Sequence, residues 1–138
     1  MLINVYTDGG SRGNPGISGF GFVVLDQNQQ VIHQESKFLG VKTNNEAEYL
    51  GLIAALTWVN DNVKTHHISE VNFYSDSQLL VRQMQQIYKV KSPGLKPLNS
   101  IAVNLLSSLS IPYKFTDIRR EYNQLADELA NRAMDQKL

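Results

Sequence analysis

Two aspartates each follow a short apolar segment that is typical of a buried β-strand. Asp8 comes after the segment LINVYT, and Asp76 comes after VNFYS. Ligands of open α/β sheets bind beyond the ends of strands, near the point where the strand order reverses. If the two strands are neighbours, both carboxylates reach one place, where acids from the first and last helices would complete a cluster.

A cluster of carboxylates repels itself and persists where a cation offsets its charge. Ligation by oxygen alone, in a chain that has no cysteine, points to Mg²⁺ or Mn²⁺. Two such ions about 3.5–4 Å apart can activate a water molecule and stabilise the leaving oxygen when a phosphodiester is cleaved. Taken singly, Asp8 could be a turn residue and Asp76 a helix cap, so the prediction depends on their combination.

The elements that would carry these acids follow from hydrophobic periodicity and from turn residues. Strands are predicted at residues 2–7, 20–25, 31–39, 71–74 and 113–118, and helices from about residue 44 to 58 and at 77–86, 97–109 and 123–134. The glycine-rich residues 9–16 are predicted as a loop, and residues 26–30 as a hairpin connection. This order of elements indicates an α/β fold in one domain, residues 1–138, with a mixed sheet and helices on both faces.

Length and composition limit the class of protein. A chain of 138 residues can bury a stable hydrophobic core without disulfides or structural metals. The absence of cysteine excludes disulfides, thiolate metal sites and a cysteine nucleophile. There is no signal peptide and no apolar segment of about 18 residues, so we expect a cytoplasmic protein that does not span a membrane. The formal net charge is zero, so contact with phosphate must be local or made through metal ions. A monomer is the default expectation.

Four segments of the chain resemble the motifs of type 1 ribonuclease H, in order and in spacing. They are YTDGGSRGNPG at residues 6–16, TNNEAEY at 43–49, SDSQ at 75–78 and REYNQLAD at 120–127, and together they extend over nearly the whole chain. The resemblance implies a five-stranded mixed sheet of strand order 3-2-1-4-5. It also implies an endoribonuclease that hydrolyses the RNA strand of RNA/DNA hybrids with two metal ions, leaving 5′-phosphate and 3′-hydroxyl ends.

By motif position, the resemblance implies four metal ligands: Asp8, Glu48, Asp76 and Asp127. The choice of Glu48 over Glu46 also has a physical argument. Thr43 and Glu46 have the spacing of a capping box, which gives Glu46 a structural role at the start of the helix. Residues two apart on a helix point in roughly opposite directions, so the two glutamates cannot both face one metal.

The resemblance also implies substrate contacts. Backbone groups near Gly9 and Ser11 would sense the 2′-hydroxyl that distinguishes RNA from DNA. Hydrogen bonds to the minor groove are implied for Asn14, Asn44, Asn45 and Gln78. Thr43 matches a position that holds a DNA phosphate. Turn formation by Asn14 and helix capping by Thr43 and Asn44 are the structural alternatives. Such contacts read the shape of the hybrid, so we expect little sequence preference.

The last predicted helix carries Asn123 and Asp127, which are four residues apart and therefore share a face. Asn123 is assigned with Arg120 to the residues that contact substrate. The candidates to pack this helix against the sheet are Leu125, Leu129 and Met134. Such packing would leave Asp127 free to point at the site, although without the motif Asp127 could equally be a solvated helix acid.

Two features depart from the pattern of many family members. Many members carry a histidine in the loop before the last aspartate, where it is thought to help proton transfer or product release. In this chain the segment before Asp127 has no histidine, and His66 and His67 are interpreted as surface residues. Arg120 stands where the loop histidine would act. Arginine is always protonated, so Arg120 cannot be a general base, but it could bind the scissile phosphate or help the product to leave.

The second departure concerns the basic helical protrusion with which some members grip the hybrid. Residues 87–98 are too short for that helix and offer only Lys89, Lys91 and Lys96, which a solvated connector explains as well. No additional hybrid-binding domain is recognised. We therefore predict a compact form of the enzyme whose binding is weaker and more sensitive to salt.

Three other classes of protein share part of this pattern. Junction resolvases and integrase cores share acid clusters, but not the GNPG segment joined to TNN-x-x-E. A non-catalytic nucleic-acid-binding module is the alternative from another class, and the intact set of four acids argues against it. Proteins of the related actin-like ATPase fold bind nucleotide between two domains. Duplex RNA stays open as a second substrate.

Overall fold

The computed structural model describes residues 1–137. The strands are β1 (Leu2–Gly13), β2 (Gly16–Leu25), β3 (Val31–Lys42), β4 (Glu70–Ser75) and β5 (Tyr113–Asp117). The helices are α1 (Asn44–Asn62), α2 (Gln78–Met84), α3 (Lys96–Ser107) and α4 (Gln124–Gln136), and a 3₁₀ turn covers Arg120–Tyr122. Every predicted strand and helix is present. No helix within residues 1–137 combines the length and the apolar character needed to cross a membrane.

The five strands form one mixed sheet in the order β3-β2-β1-β4-β5, which confirms the predicted order. β1 pairs antiparallel with β2, and β2 pairs antiparallel with β3. β4 runs parallel to both β1 and β5. The order therefore reverses between β1 and β4, and a crevice is expected beyond the carboxyl ends of these two strands.

Residues 9–16 do not form a loop, so the prediction for this segment is wrong. β1 continues to Gly13, and only Asn14 and Pro15 separate it from β2. Glycine serves another purpose here, because a Cβ on Gly9 would lie 2.4 Å from the backbone of α1. Glycine in a strand marks a close approach of another backbone as well as a turn, and composition alone does not distinguish the two.

Helices cover both faces of the sheet, as predicted. α1 and α3 pack on one face, over a core to which β2 contributes Phe22 and Val24. α4 packs on the opposite face, where Val23 and Leu25 of β2 contact Leu129. Because successive side chains of a strand point to opposite faces, β2 is apolar on both sides and supports two helix layers.

α4 lies close to the sheet because β2 has a glycine where the helix crosses it. A Cβ on Gly21 would lie 2.4 Å from the Cβ of Leu129. Leu129 and Met134 are buried, as predicted, whereas Leu125 is 49% exposed, which corrects its predicted packing role. Leu125 belongs to the first turn of α4, at the margin of the sheet beside Leu25, where only part of its side chain is covered.

Candidate active site

The parallel pairing of β1 with β4 ends at Thr7 and Ser75, so Asp8 and Asp76 are the first residues beyond it. The two strands run in the same direction, and both carboxylates therefore emerge at one edge of the pair. Asp76 follows the end of β4, as predicted. Asp8 does not end β1, because it still pairs with Gly21 of β2. That pairing fixes the backbone of Asp8 and excludes the turn that was its structural alternative.

Glu48 reaches the same place from α1 and is 5% exposed. Its Oε1 accepts a hydrogen bond of 2.6 Å from the backbone N–H of Gly9. β4 has ended at this level, so the N–H of Gly9 has no strand partner on that side, and the carboxylate takes the place of one. The contact requires α1 to lie directly against β1, which the missing side chain of Gly9 allows.

Glu46 is occupied at the start of α1. Thr43 Oγ1 accepts a hydrogen bond of 3.2 Å from the N–H of Glu46, and Glu46 Oε1 accepts one of 2.8 Å from the N–H of Thr43. This reciprocal pair is the predicted capping box, and its hydrogen bonds lower the pKa of Glu46. Of the two glutamates, only Glu48 joins the other acids.

Carboxylate oxygens of Asp8, Glu48 and Asp76 lie within 4.8 Å of one another. Burial, and then the charge of Asp76, raise the pKa of Asp8 from 3.8 to about 8. Burial and the charge of Asp8 raise the pKa of Glu48 well above its ordinary value. Three carboxylates this close cannot all be ionised in a buried place without a compensating cation. The donor set, three oxygen ligands and no sulfur, fits Mg²⁺ or Mn²⁺.

α4 brings a fourth acid to the cluster. Asp127 lies in the first turn of α4, and its side chain forms a hydrogen bond with that of Asp8 that raises the pKa of Asp8. Arg120 approaches Asp127 at 4.0 Å and is largely exposed. Asn123 is buried and donates a hydrogen bond of 2.9 Å from Nδ2 to the carbonyl oxygen of Thr7. All four acids line one cleft with a volume of about 410 Å³.

The predicted substrate residues divide mainly between two surfaces. The cleft of the acids is also lined by Gly9, Ser11, Asn44 and Arg120. A second depression, of about 340 Å³, is lined by Asn14, Thr43 and Asn45 together with Leu95 and its neighbours. Asn44 connects the two surfaces. Its backbone N–H donates to Asn14 Oδ1 at 2.9 Å, and its own Oδ1 accepts from the N–H of Ser11 at 3.2 Å.

Two predicted substrate residues lie outside both surfaces. Gln78 is exposed at the start of α2, where Ser77 lines the cleft instead. Asn123 is 1% exposed, so its side chain offers no surface for a nucleic-acid strand to touch, and its predicted substrate contact is corrected. The spacing of Asn123 and Asp127 indicated a shared face, but it could not show that the side chain of Asn123 binds the backbone of β1.

Arg12 and Asn131 also line the cleft, and neither was predicted as a site residue. Arg12 pairs with Asp135 at 2.6 Å and donates to Asn131 at 3.2 Å, which ties β1 to α4 at the mouth of the cleft. The signal that could have found Arg12 is strand alternation. In a strand, residues that are two or four apart share a face, which places Arg12 on the same side of β1 as Asp8.

The departures noted in the sequence are visible in the fold. His67 is exposed, and the ring of the partly exposed His66 lies 5.4 Å from that of Trp58, away from the residues that line the cleft. Between α2 and α3 the chain forms turns and irregular backbone rather than a helix, as predicted. Lys89 and Lys91 in this segment are exposed.

Comparison with known proteins agrees with the motifs. A family model described as reverse transcriptase-like matches residues 6–133. The bifunctional protein Rv2228c of Mycobacterium tuberculosis is 44% identical over 137 residues, which are 98% of this chain and 36% of that protein. Ribonuclease H of Acetivibrio thermocellus is 33% identical over 142 residues, which cover 93% of this chain and 91% of that protein. The chain belongs to the type 1 ribonuclease H family.

A solved structure resembles this ribonuclease H family member over nearly its whole length. The crystal structure of LC11-RNase H1 in complex with an RNA/DNA hybrid superposes with a TM-score of 0.91, with 41% sequence identity and 98% of each chain covered. The chain spans about a third of the length of the mycobacterial relatives that it matches.

Proposed function

We propose that the protein is an endoribonuclease that hydrolyses the RNA strand of RNA/DNA hybrids with divalent metal ions, leaving 5′-phosphate and 3′-hydroxyl ends. The observation that carries this proposal is the buried triad of Asp8, Glu48 and Asp76, with Asp127 beside it in an open cleft. The similar LC11-RNase H1, which was crystallised with an RNA/DNA hybrid, supports the choice of substrate.

Two Mg²⁺ or Mn²⁺ ions would be held by Asp8, Glu48, Asp76 and Asp127. Carboxylate oxygens of Asp8, Glu48 and Asp76 lie within 4.8 Å of one another, and Asp127 is near enough to raise the pKa of Asp8, so Asp8 is the acid best placed to share both ions. When bound, the ions lower the pKa of the attacking water and stabilise the charge on the leaving oxygen. Their charge also offsets the repulsion that raises the pKa of Asp8 and Glu48.

The chain itself supplies a fixed geometry for these acids. Pairing with β2 holds the backbone of Asp8, and the N–H of Gly9 holds the carboxylate of Glu48. Neither acid has to reorganise when charge develops on the phosphate, and such preorganisation is a major part of electrostatic catalysis. The burial of Glu48 also keeps bulk water from competing for its oxygens.

Arg120 is our candidate for the phosphate contact. Its contact with Asp127 is long, at 4.0 Å, and its side chain is 84% exposed, so most of its donors are free. A guanidinium cannot accept a proton, but it binds phosphate oxygens in pairs. We assign Arg120 to hold the scissile phosphate or to help the cleaved product to leave. In many other family members a loop histidine stands in this place.

Recognition of the hybrid is proposed for the residues around the β1–β2 hairpin. Backbone groups of Gly9 and Ser11 lie in the cleft, where a 2′-hydroxyl next to the scissile phosphate would meet them. The minor groove is assigned to the amides Asn14, Asn44, Asn45 and Gln78. Thr43, in the second depression, is assigned a phosphate of the DNA strand. These contacts read shape, so cleavage with little sequence preference is expected.

The test is cleavage of end-labelled RNA/DNA hybrid in Mg²⁺ or Mn²⁺, with the wild-type protein beside Asp8→Asn. Asp61→Asn, at an exposed acid near the far end of α1, is the matched control and should cut like the wild type. Failure of the wild-type protein to cut would sink the proposal. Equal cutting by Asp8→Asn would point to a contaminating nuclease or a wrong site. Duplex RNA and duplex DNA serve as further arms, because duplex RNA remains an open second substrate.

The proposal extends to the oligomeric state of the protein and to its cellular compartment. We expect a monomer in which residues 1–138 act as one domain, because one cleft holds all four acids and needs no residue from a second copy. The lack of cysteine suits a reducing compartment such as the cytoplasm. Sedimentation velocity would test the monomer, and a dimer at micromolar concentration would contradict it.

A further inference from the structure

Asn123 occupies an unusual place at the start of α4. It stands at the N-cap position, yet its side chain makes no capping hydrogen bond to the helix. Instead the side chain points inward, is 1% exposed, and donates from Nδ2 to the carbonyl oxygen of Thr7 at 2.9 Å. An N-cap asparagine normally accepts a hydrogen bond from a backbone N–H of its own helix. Here the side chain instead binds the backbone of β1, at a residue 116 positions away.

The other end of this amide is unsatisfied. Within residues 1–137, Oδ1 of Asn123 is the only buried side-chain polar atom that finds no hydrogen-bond partner. Buried polar atoms nearly always have a partner, either in the protein or in an ordered water molecule. Water cannot reach this enclosed oxygen, so the fold leaves one acceptor unpaired where the amide directs Nδ2 at the backbone of Thr7.

Asn123 also contacts the segments that carry three of the four acids. Thr7, whose carbonyl oxygen it binds, directly precedes Asp8. Its amide is also near enough to the carboxylate of Asp76 to counter part of the rise in pKa that burial causes. Its own carbonyl oxygen accepts a hydrogen bond of 3.1 Å from the N–H of Asp127. One residue thus links α4 to the ends of β1 and β4.

We propose that Asn123 is a positioning residue for the metal site rather than a substrate contact. Its Nδ2 holds α4, and with it Asp127, at a fixed distance from Asp8 and Asp76. Residues that orient metal ligands from behind change metal affinity by roughly 10–100-fold. The inference rests on the proposed function.

The competing explanation is that Asn123 only stabilises the fold. Asn60 provides a matched control, because its Nδ2 also joins two elements, donating to the carbonyl oxygen of Leu105 in α3 at 3.0 Å. Asn60 is 12 positions beyond Glu48 on α1, or about 18 Å along the helix axis. Asn60→Ala should therefore weaken the fold without touching the metal site.

The experiment is a calorimetric titration with Mn²⁺ in the absence of substrate, paired with urea unfolding of each variant. We expect Asn123→Ala to bind Mn²⁺ roughly 10–100-fold more weakly than the wild type, whereas Asn60→Ala binds as the wild type does. If Asn123→Ala does not fold, Asn123→Ser, whose hydroxyl is too short to reach the carbonyl oxygen of Thr7, should still bind Mn²⁺ at least several-fold more weakly. Wild-type affinity in a folded Asn123 variant would overturn the inference.

Kinetics separate a positioning role from a substrate contact. At saturating Mn²⁺ we expect the KM of Asn123→Ala for the hybrid to stay within about twofold of the wild type, and its loss of rate to be largely rescued by added metal. A raised KM that added metal does not correct would restore the substrate role and overturn the inference. If the wild type cuts no hybrid, the proposed function fails, whereas the Mn²⁺ titration still reports on Asn123.

Discussion

The two sides of the cleft are built in different ways. On the α1 wall, formed by Asp8, Gly9 and Glu48, the carboxylates are nearly inaccessible to solvent, and a backbone N–H fixes Glu48. On the α4 wall, formed by Arg120, Asp127 and Asn131, Asp127 keeps 31% of its side chain exposed and Arg120 keeps 84%. The α1 wall therefore holds its acids rigidly, whereas Arg120 on the α4 wall is free to meet substrate.

The two walls also differ in their charges. Burial raises the pKa of both Asp8 and Glu48 on the α1 wall. When these carboxylates are ionised they repel each other, and a bound cation offsets that repulsion. The α4 wall includes a cation of its own, Arg120, whose charge lowers the pKa of Asp76 across the cleft. Changes on the α1 wall should therefore affect catalysis and stability strongly, and changes at Arg120 on the α4 wall should tune binding.

The largest effect is expected for Glu48→Gln. The amide keeps the size of the side chain but loses the charge, so cleavage should fall by roughly 10³-fold or more, about 4 kcal/mol in the barrier. Initial rates on labelled hybrid in Mg²⁺ measure it. Glu46→Gln is the matched control and should retain most activity, losing about 0.5–1 kcal/mol of stability with its capping box. If Glu46→Gln were the inactive variant, the ligand assignment on the α1 wall would be reversed.

The next effect tests how tightly the α1 wall is packed. In Gly9→Ala the new Cβ would lie 2.4 Å from the backbone of Ala47, so α1 must move away from β1. We expect a loss of about 2–4 kcal/mol in the free energy of unfolding, measured in urea, together with most of the activity. In the control Gly10→Ala, the Cβ would lie 3.6 Å from the tip of Met134 and 3.9 Å from Asn44 Oδ1, both ordinary contacts, so stability should change by less than about 1 kcal/mol. Equal effects would mean that the close approach at Gly9 is not needed.

A smaller effect concerns pH in the absence of divalent ions. The pKa of Asp8 rises from 3.8 to about 8 on folding, so between these values the folded state binds more protons than the unfolded state. The free energy of unfolding should therefore fall as pH rises from about 4 to about 8. Thermal melts in EDTA measure it.

Asp8→Asn removes the titrating group and sharpens this test. The variant should lose less stability over the same pH range and should melt above the wild type at pH 8 in EDTA, although it is inactive. Added Mn²⁺ should raise the melting temperature of the wild type more than that of the variant, because the ion binds the folded site. A pH dependence identical in the two proteins would show that Asp8 is not the group under repulsion.

The two walls also differ in how far the sequence could predict them. Helix geometry and the capping box identified Glu48 over Glu46, because both arguments are local to one helix. The placement of Asp8 and Asp76 followed from two strand ends. The sequence could not show why residues 9–16 are rich in glycine. A strand glycine that leaves room for a neighbouring helix cannot be told from a turn glycine until the position of the helix is known.

The α4 wall was harder to predict because its roles depend on contacts between distant parts of the chain. Asn123 is buried where its side chain binds the backbone of β1, and the position of Arg12 in the cleft follows from strand alternation in a segment that was predicted as a loop. Leu125 matched a helical packing pattern, but it lies where α4 passes the margin of the sheet. Periodicity indicates which face of a helix is apolar, not how much of that face a neighbour covers.

The smallest effect is expected on the α4 wall, at Arg120. If its guanidinium contacts a phosphate, Arg120→Gln should lower the slope of the logarithm of hybrid affinity against the logarithm of salt concentration by about one, and should weaken binding by about tenfold or less at moderate salt. Arg119→Gln is the matched control, because Arg119 is equally exposed but outside the cleft. Filter binding in Ca²⁺ between 50 and 200 mM salt, roughly the range over which such slopes are resolved, would measure both variants.

The outcome at Arg120 decides what the α4 wall contributes. A lower slope with a nearly unchanged cleavage step would make Arg120 a phosphate contact, consistent with a wall that tunes binding. An unchanged slope with a slower release of product would place its action after cleavage, at the new 5′-phosphate. A loss of activity as large as that of Glu48→Gln would contradict the comparison itself, because the exposed wall would then matter to the chemistry as much as the buried one.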